Sequence, residues 1–173
     1  MIPLLCWLER ASECNGVLMT MRLPFLLAVL LVNSLWINSV TANPLVTVVM
    51  AGENFQLEYV ADPESRRQGL MGRDSLESNA GMLFDFPEGT QPQIWMRNMH
   101  ISLDLLFVDN RGQVVDIYQQ VPPCSRMPCP VYSASRPLRF VIEVPSGTVD
   151  NLGLIKGMHL VMPDIAQQSA PSY

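Results

Sequence analysis

The sequence carries little charge, few aromatic side chains and almost no histidine. Charged residues make up 16% of the 173-residue chain, aromatic residues 8%, and there are two His. The charge that remains is acidic in balance, with a net of −5. A nucleic-acid partner is therefore not expected, since polyanion binding needs a basic face. Low-complexity tracts and internal repeats are missing, and the composition excludes a disordered or a collagen-like chain. So are the standard catalytic signatures: no G-x-S-x-G, H-E-x-x-H, P-loop or dinucleotide fingerprint occurs. His100 and His159 lie in apolar contexts, and Ser133 and Ser135 have no marked base nearby in sequence. The expectation is a protein without a cofactor and without a resident metal, more readily a binder than an enzyme.

What the sequence does have is an apolar excess, 49% of residues with a mean hydropathy of +0.19, and it is unevenly spread. Residues 23 to 32 read Leu-Pro-Phe-Leu-Leu-Ala-Val-Leu-Leu-Val, with Arg22 before them and Ser39-Val40-Thr41-Ala42 after. A basic start, a short apolar segment and small residues before a cleavage point form a secretory signal peptide. Val40 and Ala42 fit the −3 and −1 positions, so cleavage is expected after Ala42. The segment is too short for an anchor, because a span needs roughly 20 apolar residues. Residues 1–42 thus read as an N-terminal extension plus export signal, with the true start at Met19 or Met21. The protein is expected to be periplasmic or secreted and to meet a membrane only during export. Arg10 and Arg22 balance Glu9 and Glu13, so the acidic excess belongs to the mature chain.

Of the four Cys, only Cys124 and Cys129 follow the signal. They lie in the Pro-rich stretch Pro122-Pro123-Cys124-Ser125-Arg126-Met127-Pro128-Cys129-Pro130. In an exported chain this spacing reads as a disulfide holding a loop. A redox pair would favour C-x-x-C opening a helix, and a metal site would need further ligands nearby.

The 14 Pro and 10 Gly punctuate short segments. Strands are expected over residues 44–50, 55–60, 81–86, 93–99, 103–109, 113–118, 138–144 and 157–162, by alternation and by Val, Ile and Phe content. Asn110-Arg111-Gly112 reads as a hairpin turn. Asp62 as N-cap with Pro63 at the first position opens a helix of about eight residues. Ser146-Gly147-Thr148 opens one further helical turn, ended by Gly153. Residues 165–173 read as a loose tail. Seven or eight short strands with one or two short helices point to a mainly-β fold, a compact β-barrel or jelly-roll-like sandwich.

Several segments, taken together, carry a resemblance: Gly69-Leu70-Met71-Gly72-Arg73, Gly81-Met82-Leu83-Phe84, Trp95-Met96-Arg97-Asn98-Met99 running into Leu103 to Val108, Val141 to Gly147, and Gly157-Met158. In this order they resemble the DUF192 (UPF0127, COG1430) family over roughly residues 45–165. The resemblance implies a compact mainly-β fold of barrel or jelly-roll type in small proteins that often carry a signal peptide. It implies no established activity. Two positions depart from the pattern, which has a bulky residue at Gly72 and a Thr at Met99. The expected organisation is the N-terminal segment 1–42, a DUF192-like β domain 43–165, and a tail 166–173.

The few charges within these segments are the candidates for function. Asp104 stands among Leu103, Leu105, Leu106 and Phe107, where burial demands partners. Arg73 and Arg97 are the expected ones, either as a structural pair or lining a pocket. Alternatively the carboxylate caps backbone N–H groups. Trp95 with Tyr118 and Tyr132 could floor a saccharide or peptide site, or belong to the core. The Asn98 amide could fix a turn or a ligand. Met96, Met99 and His100 suggest a soft Cu(I) site, but in a strand Met96 and Met99 face opposite ways, and Met is a common core filler. Asp104 with Glu143 would be a hydrolase pair only at roughly 5–9.5 Å separation in one cavity. The leading expectation is a binder of a small ligand, saccharide or peptide, using Arg73, Trp95, Arg97, Asn98, Asp104 and Glu143. A hydrolase on Asp104 and Glu143, and a structural or accessory envelope protein, are the alternatives.

Overall fold

The computed structural model describes residues 42–172. The export segment read at 23–32, and the starts at Met19 and Met21, lie outside the described residues. Eight strands follow in chain order: β1 (Leu45–Met50), β2 (Glu53–Val60), β3 (Ala80–Asp85), β4 (Gln93–Trp95), β5 (Leu103–Val108), β6 (Val114–Val121), β7 (Val131–Ser133) and β8 (Phe140–Pro145). Two short helices, α1 (Pro63–Gln68) and α2 (Thr148–Leu152), and a 3-10 turn at Asp164–Gln167 accompany them.

Six strands form one sheet in the order β1-β2-β3-β8-β5-β6, and β4 pairs with β7 in a separate ribbon. Every pair is antiparallel except β2 with β3. A parallel pair cannot be joined by a tight turn. Here the connection is α1 and the loop after it. The Asp62 side chain accepts from the Ser65 amide at 2.9 Å, Pro63 sits in the first turn, and Gly69 ends the helix at a φ of +48°. This start is the one the sequence indicates, although the helix has six residues.

The central strands explain the long apolar runs. Every residue of β5 is buried, as is β8 from Phe140 to Val144. Strands covered on both faces read as continuous apolar segments. On one face Leu106, Phe140, Ile142 and Val144 pack with Val149, Leu154, Leu160 and Ala166. On the other, Met82, Phe84, Leu105, Phe107 and Val141 pack under Leu70, Ile94 and Met96. The result is compact and sandwich-like.

The large sheet is not a closed barrel. The strand expected at 157–162 is instead a linking segment, with single bridges from Val161 to Val49 of the edge strand β1 and from His159 to Gln113, just before the edge strand β6. It reaches both edge regions of the sheet, so it pairs fully with neither. Gly112 makes this approach possible: a Cβ there would lie 2.6 Å from the Leu160 carbonyl oxygen. The strand expected over 93–99 stops at Trp95, because Asn98 takes a left-handed φ of +56° that breaks the extended backbone. The tail is docked rather than loose. Ala166 is buried, and the Arg139 guanidinium donates to the carbonyls of Ala166 at 3.1 Å and Gln168 at 2.7 Å. Cys124 and Cys129 form the expected disulfide between β6 and β7.

Candidate functional site

Glu143 lies in β8 opposite Met82 of β3 and Leu105 of β5. Alternation along β8 places it with Val141, on the face that packs under β4 and α1. It is 6% exposed. Its carboxyl has no ion-pair or hydrogen-bond partner among the described residues, and burial alone pushes its pKa up to about 8. The small part that is exposed opens into a cavity of about 360 Å³. Volumes of roughly 300–1,000 Å³ are typical of small-molecule sites.

The cavity walls come from four places. The end of α1 brings Arg66 and Leu70, β3 and the residues after it bring Phe84 and Phe86, β4 brings Ile94 and Trp95, and Met99 follows the left-handed turn at Asn98. Leu70, Phe84, Ile94 and Met99 are buried, whereas Trp95 is 48% exposed and forms part of the mouth. Arg66 is held in place. Its guanidinium lies 5.2 Å from the Phe86 ring centroid and donates to the carbonyls of Asp85, at 2.8 Å, and Ala61. Arg67, also at the mouth, pairs with Glu64 at 2.5 Å.

Of the six candidate binding residues, the cavity gathers Trp95 and Glu143. Asp104 is elsewhere. It is fully buried and faces the opposite side of the sheet, across from Val144. The expected arginine partners are not there. One carboxylate oxygen accepts from the Gln120 amide at 2.7 Å, the other from the Val149 amide at 2.8 Å. Asp104 thus secures the irregular β5–β6 register, where Gln120 has a φ of +51°, and supplies a cap to α2, whose own N-cap is Gly147. The backbone-capping alternative is the correct one. Because Asp104 and Glu143 project from opposite faces, they do not share a cavity, and the hydrolase pair is not assembled.

Arg73 instead makes a two-point pair with Glu58, at 2.5 and 2.8 Å, which holds the Glu58 carboxyl below its ordinary range. Arg97 is exposed. Asn98 contributes its carbonyl to the Gly72 amide at 3.0 Å, so its role is in the turn. Tyr118 and Tyr132 pack edge-to-face, with Phe107 behind Tyr118, and both line a different, open groove that does not include Trp95. Met96 and Met99 are core side chains, while His100 is exposed and bonded to Asp74 at 2.7 Å.

Sequence reasoning missed the contribution of α1 and Phe86 to the cavity. It also missed the polar network behind them. Asp85 is fully buried and binds Arg139 through both oxygens, at 2.7 and 2.8 Å, while the Tyr59 hydroxyl donates to Asp85 at 2.8 Å. Burial and this carboxylate push Tyr59 up to about 12. The signal was a lone Asp ending an otherwise apolar strand.

Comparison with known proteins follows the same outline. The model of the uncharacterised family DUF192 (COG1430) matches residues 46–162. No curated protein matches the chain. Among solved structures, a Sinorhizobium meliloti 1021 protein, provisionally described as a transcription regulator, is 31% identical with a TM-score of 0.65, covering 70% of this chain and 96% of its own. A Novosphingobium aromaticivorans DSM 12444 protein of unknown function is 26% identical with a TM-score of 0.60, covering 71% of this chain and 89% of its own. With the family match extending from β1 through the linking segment that follows α2, this chain belongs to the DUF192 family.

Proposed function

We propose that this protein is an exported binding protein that takes a small ligand in the cavity between α1, β3, β4 and β8, with Trp95 at the mouth and Glu143 inside. One observation carries the reading: Glu143 is 6% exposed, its carboxyl has no bonded partner among the described residues, and it lines that cavity, where its oxygens keep a small contact with solvent. A buried polar group without a partner is costly, and a fold tolerates such a group most readily where a ligand completes it. Apolar walls with a few polar groups are the usual makeup of such sites. Export is supported by the Cys124–Cys129 disulfide and by the short apolar segment before Ala42. No helix among the described residues is long and apolar enough to cross a membrane. The description of the Sinorhizobium relative as a transcription regulator does not transfer readily to a chain of net charge −5.

The test is a thermal-shift screen of small molecules, saccharides and short peptides on the full chain expressed with export. Hits are then titrated by tryptophan fluorescence in wild type, and by calorimetry in wild type and Trp95→Ala. Trp95 is the one tryptophan after Ala42, so ligands of the cavity change the emission of the exported wild type, and calorimetry shows them binding Trp95→Ala more weakly. Saturable binding that leaves Trp95 emission unchanged, and is insensitive to Trp95→Ala, would place the ligand elsewhere and overturn the reading.

A further inference from the structure

We infer that the cavity selects an uncharged ligand, an apolar body bearing a carbonyl or amide, which the carboxyl of Glu143 grips as a hydrogen-bond donor. The inference rests on the binding reading above and names its ligand class.

The argument starts from what surrounds Glu143. An ionised carboxylate only accepts hydrogen bonds, and needs donors or a cation when buried. Leu70, Phe84, Ile94 and Met99 offer neither, and although Gln68, Thr90 and Gln93 also line the cavity, no side chain of the lining pairs with the Glu143 carboxyl. The charged groups on the neighbouring elements are committed elsewhere. On α1, Arg66 is bound to two carbonyls and to the Phe86 face, and Arg67 to Glu64. At the end of β3, Asp85 is locked to Arg139. In the loop after α1, Arg73 is held by Glu58, and Asp74 is bonded to His100. On β5, Asp104 faces the other side of the sheet. On β4 no residue is charged, and Glu88 beyond β3 is exposed. With nothing to stabilise a charge, the protonated carboxyl is the form that the walls favour, in keeping with its upward shift to about 8. A protonated carboxyl has one O–H to donate and one oxygen to accept.

That pair of functions complements an amide. The ligand carbonyl accepts from the carboxyl O–H, and the ligand N–H donates to the second oxygen. The apolar remainder of the ligand then lies against Phe84, Leu70 and Ile94. Charged ligands fit less well. A cation must enter past Arg66 and Arg67, and an anion must be desolvated between apolar walls while both arginines are already engaged.

The test uses three probes with one apolar body: phenylacetamide, phenylacetate and 2-phenylethylammonium. Calorimetric titration of the full chain expressed with export is run from pH 5.5 to 9.5, on wild type, Glu143→Gln, Glu143→Leu and Trp95→Ala. The amide is expected to bind at least tenfold more tightly than either charged probe. Its affinity should stay level to about pH 7, then fall toward tenfold per pH unit well above pH 8, as the donor proton is lost. Glu143→Gln keeps a donor and an acceptor, so it should retain amide binding and lose the pH dependence. Glu143→Leu should weaken the amide at least tenfold while melting cooperatively, which separates lost binding from lost folding. Tightest binding by the ammonium, with affinity that rises with pH, would overturn the ligand class and leave the cavity reading intact, provided Trp95→Ala weakens it. Tightest binding by phenylacetate would do the same. If none of the three probes binds at millimolar concentration, or if binding ignores both Glu143 and Trp95, the ligand class and the cavity reading both fail.

Discussion

Asp104 and Glu143 are two buried acids on adjacent central strands, one register position apart, and they live in opposite circumstances. Asp104 is met by two backbone N–H groups, one from β6 and one from the start of α2. Glu143 is met by none and touches a cavity instead. Burial alone therefore does not identify a functional acid. The distinguishing quantity is the supply of donors. Where the fold aims donors at a carboxylate, the carboxylate organises the fold; where it withholds them, the carboxyl is left for something that is not part of the chain.

The contrast is sharpest in the pH dependence of stability. Glu143 is raised from an ordinary 4.5 to about 8 in the folded protein. Below pH 4.5 it is neutral in both states and makes no difference. Between pH 4.5 and 8 the unfolded chain releases its proton and the folded chain keeps it, so stability falls as pH rises. The whole shift corresponds to at most about 5 kcal/mol. Denaturant melts from pH 4.5 to 8.5 should show this decline, and Glu143→Gln should flatten it. A wild-type curve with no decline over that range would mean that the carboxyl is solvated or paired. Glu58, Asp109 and Asp116 shift the other way. Glu58 is lowered chiefly by Arg73. In Asp109 and Asp116 burial alone would raise the pKa, but backbone donors with Arg136, and Lys156 with Ser135, more than offset it. Their stabilisation is present above the ordinary carboxylate range and is lost as pH falls through it. Maximum stability is therefore expected on the mildly acidic side of neutrality.

Removing the donor-rich acid should cost somewhat less than the full Glu143 effect, and act differently. Asp104→Ala orphans the Gln120 and Val149 amides, for an expected loss of about 3–4 kcal/mol. The measurement is chemical denaturation together with titration of the cavity ligand on the folded variant. Stability should drop while affinity stays within about twofold. A variant that folds normally but loses ligand would reverse the roles assigned to the two acids.

The sequence made much of this readable, and the unread part has a common cause. The first six strands in order, the strand at β8, the Asp62 cap, the Gly112 turn and the Cys124–Cys129 pairing are local signals, and they are present in the fold, whereas β7 is not among the expected strands and 157–162 is not a strand. Asp104 and Glu143 look alike in sequence, each a lone acid in an apolar strand. Which one is satisfied depends on Gln120, 16 residues from Asp104, and on Val149, 45 residues away. No local pattern reports such encounters. The same holds for Arg73, whose partner Glu58 lies on β2, and for the segment 157–162, whose pairing is shared between two distant edges. Trp95 and Glu143 were visible as candidates, but their shared cavity depends on α1 being folded across β3 by the parallel crossover.

A smaller effect separates the two faces of the sheet. Cys124 packs against the cluster that contains the cavity walls, not the one that contains α2. Reducing the Cys124–Cys129 bridge is expected to cost about 2 kcal/mol, the loop-entropy value for so short a closure. Hydrogen exchange with and without reductant should show the loosening around β4 and β7, with Val149 and Gln120 still protected. Equal loosening at Val149 would mean that the two faces do not respond separately.

The smallest expected effect supplies the missing control, an acid that is neither sealed nor abandoned. Glu58 and Arg73 retain 23% and 34% side-chain exposure, so water screens their attraction. Even with two-point geometry the pair should contribute no more than about 1 kcal/mol at neutral pH. Arg73→Ala should therefore lower stability slightly, raise the pKa of Glu58 toward its ordinary value, and leave cavity binding unchanged, because Arg73 does not line the cavity. An NMR titration of the Glu58 carboxyl in wild type and variant checks the pKa shift directly. If Arg73→Ala abolished ligand binding while Glu58 titrated normally in both proteins, the arginine would be serving the ligand rather than Glu58. The donor rule drawn from Asp104 and Glu143 would then fail for the third acid, where water is available to either partner.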